Sequence, residues 1–125
     1  MNKKEVIKKI NASGLDKTKI IILSGASLVL QGVVEKCHDI DLSCEKNYYD
    51  SLNWKEERNK LGNYIKTNDV FEIGPNLFDI KNTKVVEGYH VANLESCLKF
   101  KKYMNREKDQ EAIKRLEKIL GDKRC

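Results

Sequence analysis

The sequence predicts an α+β domain in which helices flank a small mixed β-sheet. Short runs of β-branched and aliphatic residues, such as Ile20–Leu23, are typical of buried strands. Segments with apolar residues at helical spacing lie between and after these runs. The chain has 125 residues, seven Gly and one Pro, which favours one compact domain, 1–125, without a long linker.

The elements follow from periodicity and from turn residues. Ser13-Gly14 ends the first helix, Ser24-Gly25 breaks the first strand, and residues 39–43 alternate acidic and aliphatic side chains as a strand does. Residues 93–120 form a C-terminal pair of helices packed on the rest. In chain order we expect helix 3–12, strand 20–23, helix 26–34, strand 39–43, helix 48–61, strands 70–73 and 77–80, a strand at 84–87, and helices 93–103 and 109–120.

Composition limits the classes of function. The formal net charge of +5 favours a polyanionic partner weakly, because lysines mixed with Glu along a chain usually form a solvated face. No apolar stretch approaches the roughly 20 residues of a membrane span, and the charged N-terminal residues do not resemble a signal peptide. We therefore expect a cytoplasmic protein that does not engage a membrane. Four cysteines without C-x-x-C spacing predict reduced thiols.

Asp39 and Asp41 are the first candidate for chemistry. Residues two apart on a strand point to the same side, so both carboxylates should face one pocket while Ile40 faces the core. Like charges this close repel unless a cation lies between them, and Mg²⁺ prefers carboxylate oxygens together with substrate phosphates. The pair alone is also common on the solvated face of an ordinary strand.

The turn at Ser24-Gly25 lies where a strand gives way to a helix, so unpaired backbone N–H groups are expected there. Gly25 would let a phosphate approach the backbone, and the hydroxyl of Ser24 or Ser27 could add a hydrogen bond. A simple strand-to-helix turn with a Ser cap explains the same residues.

A third acid is expected near the aspartates. Asp79 lies in an apolar strand pattern, and it would complete a carboxylate triad if that strand pairs beside residues 39–43. Glu72, in the neighbouring strand pattern, is the competing choice, and the sequence leaves the two open.

Together these motifs resemble the signature of the nucleotidyltransferase superfamily, which has the DNA polymerase β-like fold. In that family a Gly-Gly or Gly-Ser turn opens a helix and is followed by an acid–aliphatic–acid strand, as in 24–27 and 39–42 here. The C-terminal stretch resembles the K…R-x-K-D segment of abortive-infection toxin and antibiotic nucleotidyltransferases. Its residues here are Lys101, Arg106, Lys108 and Asp109.

The resemblance implies a Mg²⁺-dependent enzyme that moves a nucleoside monophosphate from a nucleoside triphosphate to an acceptor hydroxyl. It implies that Asp39 and Asp41 hold the metal ion, with Asp79 as third carboxylate and general base. It also implies that five residues bind the nucleotide: Ser24, Gly25, Ser27, Lys36 and Lys101. Of these, Lys36 would stand in for an Arg that relatives carry before the aspartates.

The acceptor remains open at the level of sequence. A tRNA, as in the toxin relatives of toxin–antitoxin systems, a small hydroxylated molecule such as an antibiotic, and a protein side chain are the alternatives. The rival class is a non-catalytic module of the same fold that binds nucleotide, RNA or a partner protein. A short chain and the absent Arg favour that rival.

Overall fold

The structure is a computed structural model that describes residues 1–75 and 80–124. Helices and strands alternate up to β3, four further strands follow, and two helices end the described chain, with short 3₁₀ turns between some of the elements. The elements are α1 (Lys3–Ala12), β1 (Ile20–Leu23), α2 (Ser24–Leu30), β2 (Ile40–Cys44), α3 (Lys46–Ser51), β3 (Lys55–Arg58), β4 (Tyr64–Asn68), β5 (Phe71–Pro75), β6 (Thr83–Val86), β7 (Tyr89–Ala92), α4 (Leu94–Met104) and α5 (Gln110–Arg124).

Within the described residues the strands form one mixed sheet in the order β3-β4-β5-β2-β1-β7-β6. At its centre β1 and β2 are antiparallel, whereas β2 runs parallel to β5 and β1 runs parallel to β7. The predicted α+β class with a mixed sheet and flanking helices is confirmed. The central register places Asp41 between Leu23 on one side and Glu72 on the other.

The core lies on both sides of α2. All side chains from Ala26 to Leu30 are buried, as the nearly unbroken apolar run predicts. One buried cluster joins α1, α2 and the central strands, and a second joins α2 to α4 and α5 through residues such as Leu28, Cys97 and Leu116. In the described part of the chain, no helix combines the length and apolarity that crossing a membrane would require.

The helix expected at 48–61 is wrong for every residue after Ser51. Helix α3 ends at Ser51, and the exposed segment Lys55–Arg58 pairs with β4 instead. The buried Lys66 ammonium donates to the Tyr49 and Leu52 carbonyls, both at 2.7 Å, and so satisfies the free carbonyls at the end of this helix. The contact comes from β4, which sequence periodicity did not predict.

Three elements end at residues other than the expected ones. Helix α2 stops at Leu30 rather than at residue 34, and Gly32 follows with a φ of +76°. The Val33 N–H bonds to the Leu28 carbonyl at 2.9 Å and the Gly32 N–H to the Val29 carbonyl at 3.1 Å, which is a Schellman ending that favours glycine. Helix α5 continues to Arg124, past the end expected at residue 120, and Gly121 lies inside it. Strand β5 runs to Pro75, past the end expected at residue 73. Of the strand expected at 77–80, residues 77–79 lie outside the described residues, and a 3₁₀ turn begins at Ile80.

Candidate active site

Asp39 and Asp41 lie at the end of β2 that adjoins α2. Asp41 is the second residue of the strand and is half-buried, whereas Asp39 precedes the strand and is exposed. Ile40 and Leu42 are buried in the core, so the strand alternation predicted from the sequence is present. Asp39 lies just before the strand, near enough for its charge to act on Asp41.

Glu72 of β5 lies directly beside Asp41 in the parallel register. A hydrogen bond between the two carboxyl groups acts to lower the pKa of Asp41 and to raise the pKa of Glu72. Burial raises the pKa of Glu72, and the charges of Asp41 and Asp39 raise it further. Asp79, the other choice for a third acid, lies outside the described residues, so the structure does not compare the two.

Neighbouring acids and two cations of the C-terminal motif act on the pKa of Asp41 in opposite directions. Burial raises the pKa of Asp41 and the charge of Asp39 adds to this effect, while the hydrogen bond from Glu72 opposes it. The positive charges of Arg106 and Lys108 also oppose it, because both lie near enough to act on the carboxylate. These two cations were part of the recognised C-terminal motif but were given no role at the site.

The turn at Ser24-Gly25 adjoins the aspartates, because Leu23 pairs with Asp41 across the two central strands. Ser24 has a φ of +52°, a left-handed conformation that is unfavourable for a residue with a Cβ atom. It occupies the position where the resembling family carries its first glycine. Gly25 has no such φ, and a Cβ added there would meet the Cys37 Cβ atom at an ordinary 3.5 Å.

Ser27 serves the core. Its side chain is fully buried, and its hydroxyl donates to the Ala92 carbonyl at 2.6 Å. The same oxygen accepts from the Gln31 amide at 2.9 Å and from the Cys97 thiol at 3.6 Å. These bonds join α2 to the start of α4, so we leave the Ser27 hydroxyl out of the candidate site.

The two expected nucleotide-binding lysines differ in their surroundings. Lys36 is exposed in the segment that leads to Asp39. Lys101 is buried, and its ammonium lies 3.0 Å from Asp109. A second cation, Arg106, bonds to the same carboxylate at 2.6 Å.

Three cysteines lie in the described part of the chain. Cys37, Cys44 and Cys97 are free thiols that are buried. Burial raises the pKa of the Cys44 thiol to about 11, so it stays protonated at neutral pH.

Among residues 1–75 and 80–124, no group of three or more His, Cys, Asp or Glu side chains is close enough together to hold a metal ion. This finding includes Asp39, Asp41 and Glu72, so all three carboxylates do not converge on one ion.

Comparison with known proteins bears on the fold of the chain. No protein-family model and no curated protein sequence matches the chain. Among solved structures, the chain is similar to ANT(2'')-Ia, an aminoglycoside nucleotidyltransferase, in complex with adenylyl-2''-tobramycin. The superposition has a TM-score of 0.56 at 14% sequence identity and covers 97% of this chain and 88% of the other. The chain therefore has a nucleotidyltransferase-like fold.

Proposed function

We propose that the protein is a Mg²⁺-dependent nucleotidyltransferase that transfers a nucleoside monophosphate from a nucleoside triphosphate to an acceptor hydroxyl. The observation that carries this proposal is the pairing of Asp41 with Glu72 on adjacent strands beside the Ser24-Gly25 turn, with Asp39 near enough for its charge to raise the pKa of both. A nucleotidyltransferase-like fold in a solved structure that holds a nucleotidylated product supports it.

Two of the acids at the site are candidates to hold Mg²⁺. Asp41 and Glu72 lie side by side on adjacent strands, and burial and the charge of Asp39 raise the pKa of both carboxyl groups. A hard divalent cation held by Asp39 and Asp41 would relieve the repulsion among these acids. When bound, Mg²⁺ would supply positive charge for the acceptor oxygen and the departing pyrophosphate. Glu72 or Asp79 would be the third carboxylate.

The proposed reaction is a displacement at the α-phosphorus of the nucleoside triphosphate. The acceptor oxygen forms a bond to the α-phosphorus, and the bond from that phosphorus to the oxygen bridging the β-phosphorus breaks. Pyrophosphate leaves with the electron pair, and the proton of the acceptor hydroxyl passes to the third carboxylate. Burial and the neighbouring acids raise the pKa of Glu72, which strengthens it as a base for that proton.

Gly25 supports a phosphate contact at the turn. Its backbone conformation does not require glycine, and the space around it accommodates a Cβ atom. A ligand that approaches the backbone closely would explain a glycine that the fold does not need. We expect Gly25→Ala to fold normally and to lose triphosphate binding, whereas Gly121→Ala, an exposed glycine inside α5, should change neither.

Two acceptor classes have support. The product in the similar solved structure is a nucleotidylated small molecule. On α4, the side chains of Phe100 and Tyr103 are 44% and 80% exposed beside exposed Lys99 and Lys102. Exposed aromatic rings among lysines suit stacking and phosphate contacts with single-stranded RNA, such as the ends of a tRNA.

The test is incubation with each labelled nucleoside triphosphate, Mg²⁺ and either total tRNA or a panel of aminoglycosides. RNA-bound, protein-bound and small-molecule label would then be separated, and released pyrophosphate measured. We expect transfer that Asp41→Ala abolishes and that Asp50→Asn, a change at an exposed acid of α3, leaves intact. Pyrophosphate release that persists at the same rate in Asp41→Ala would refute the proposal.

The second candidate function is a non-catalytic module that binds nucleotide, RNA or a partner protein. Lys36 in place of the Arg of relatives favours it, and so does the finding that no three acidic side chains in the described part of the chain are close enough together to hold a metal ion. Calorimetry with Mg²⁺ and each nucleoside triphosphate separates the two candidates. A binding module should show affinity without release of pyrophosphate at any acceptor concentration.

A further inference from the structure

Lys101, Arg106 and Asp109 form a buried ion cluster in which two cations share one carboxylate. The Lys101 ammonium bonds to one oxygen of Asp109 at 3.0 Å, and the Arg106 Nε atom bonds to the other at 2.6 Å. The Asp109 side chain is 4% exposed and that of Lys101 is 8% exposed. Charges this deeply buried need partners, so each member of the cluster depends on the others.

The local backbone explains how the cluster forms. Helix α4 ends at Met104, and Asn105 then adopts a left-handed conformation with a φ of +47°. The chain reverses through a 3₁₀ turn, Glu107–Asp109, in which the Asp109 N–H bonds to the Arg106 carbonyl at 3.1 Å. This reversal brings Asp109 back onto the last turn of α4, where it meets Lys101.

The cluster lies toward the candidate active site. The Ala92 carbonyl accepts from both Gln31 and Ser27 of α2, whereas the Cys97 thiol, later along the chain, contacts Ser27 and the Ser24 backbone. Helices α2 and α4 therefore run in opposite directions. One turn beyond Cys97, Lys101 therefore lies toward the start of α2 at Ser24. The cluster carries a net positive charge there, since two cations face one carboxylate.

We infer that Asp109 is a positioning residue that holds Lys101 and Arg106 at the start of α2, where the two cations would meet the phosphates of the nucleotide. The inference rests on the proposed function, in which the triphosphate lies against the Ser24-Gly25 turn. The Arg106 bond to Asp109 uses Nε, so the terminal amino groups of this half-exposed guanidinium can donate to a phosphate.

The test is calorimetric titration of the full chain with Mg²⁺ and inorganic tripolyphosphate, a probe common to all nucleoside triphosphates. We expect Asp109→Asn and Arg106→Gln each to weaken binding by roughly tenfold to a hundredfold, the range for a lost charge-assisted contact. The double variant should bind no more weakly than the weaker single variant, because Asp109 acts through Arg106 and its neighbour. Unchanged binding in Asp109→Asn, or losses that add in the double variant, would overturn the inference.

Two controls separate positioning from folding. Glu111→Gln changes an exposed acid of α5 that pairs with Arg115, and it should bind the probe like the wild type. If Asp109→Asn does not fold, Lys101→Met with Asp109→Leu replaces the buried pair by apolar side chains, a change that proteins often tolerate. This variant should fold and still bind the probe weakly; wild-type affinity would overturn the inference.

The outcomes also distinguish this inference from the proposed enzyme activity. Binding of tripolyphosphate that depends on Asp109, in a protein that transfers no nucleotide, would support the inference and contradict the activity. Transfer that depends on Asp41 together with wild-type probe binding in Asp109→Asn would support the activity and contradict the inference. A wild-type protein that does not bind the probe would contradict the inference directly.

Discussion

Asp41 and Asp109 are both shielded aspartates, but their surroundings are opposite. Asp41 faces two other acids, and burial together with the charge of Asp39 raises its pKa. At Asp109 burial also acts to raise the pKa, yet hydrogen bonds from Arg106 and Lys101 hold it below its usual value. The charge of Asp109 is compensated by cations of the fold, whereas Asp41 lies beside excess negative charge.

The difference separates structure from chemistry. A compensated carboxylate stabilises the fold when its partners are present, and it does not need an added cation. An acidic pair with raised pKa values is costly to the fold and gains from a cation that relieves the repulsion. Uncompensated charge in a cluster of acids is therefore the better indicator of a binding site, and the comparison can be tested at both aspartates.

The largest effect on stability should come from Asp109. Asp109→Ala leaves the buried Lys101 ammonium without its carboxylate, so we expect the free energy of unfolding to fall by about 3–5 kcal/mol. Urea denaturation followed by circular dichroism measures this loss. Restoration of most of the loss in Lys101→Met with Asp109→Leu would show that the unpaired charge is the cause; an equal loss there would indicate packing instead.

Asp41→Asn should have the next largest effect, and on activity rather than on stability. We expect the rate of pyrophosphate release to fall by roughly a hundredfold to a thousandfold, as for loss of one electrostatic contact in a transition state. The amide removes a like charge, so the free energy of unfolding without Mg²⁺ should not fall. Marked destabilisation of Asp41→Asn at neutral pH would contradict the assigned contrast with Asp109.

The pH dependence of stability should have opposite signs at the two sites. Because the folded pKa of Glu72 is raised, its contribution to stability is present at low pH and is lost as pH rises through that pKa. For Asp109 the folded pKa is lowered, so its contribution is present above the ordinary carboxyl pKa and is lost as pH falls. Thermal unfolding without Mg²⁺ should show Glu72→Gln losing less stability than the wild type above about pH 5.

Because the pKa values of Asp41 and Glu72 are raised, Mg²⁺ binding should release a proton at a pH where the pair still holds one. Calorimetric titration with Mg²⁺ in two buffers of different ionisation enthalpy measures this, because a released proton adds the buffer's heat. We expect a buffer-dependent heat for the wild type and for Asp50→Asn, and none for Glu72→Gln. A wild-type heat that does not depend on the buffer would show that no proton leaves the pair.

The sequence predicted the parts of the site that are local. The alternation around Ile40 and the apolar run into α2 each lie within a single element, so periodicity identified them. Glu72 was an open alternative, because its place beside Asp41 depends on the parallel register of β5, which no local pattern encodes. The effect of Arg106 on Asp41 depends on the chain reversal after Asn105, and the sequence contained the motif without its position.

Strand β3 illustrates why the rest was not predictable. Its four residues, Lys55–Arg58, are all exposed and charged, so neither alternation nor propensity indicates a strand. The strand forms because β4 offers an edge, and β4 is anchored by Lys66 beneath α3. Tertiary pairing decided the structure there, and a single-chain pattern does not contain that pairing.

The smallest predicted effect concerns the strained turn, and it separates strain from ligand binding. Ser24 holds a φ of +52°, which costs a residue with a Cβ atom about 1–2 kcal/mol. Ser24→Gly should therefore raise the free energy of unfolding by up to about 1 kcal/mol, since glycine also loses more entropy on folding. Denaturation in urea measures the gain, and tripolyphosphate titration measures binding in the same variant.

Retained binding would assign the contact to the backbone of the turn, and a loss of several-fold would assign part of it to the Ser24 hydroxyl. A fall in stability instead would mean that this hydroxyl supports the turn by more than the strain costs.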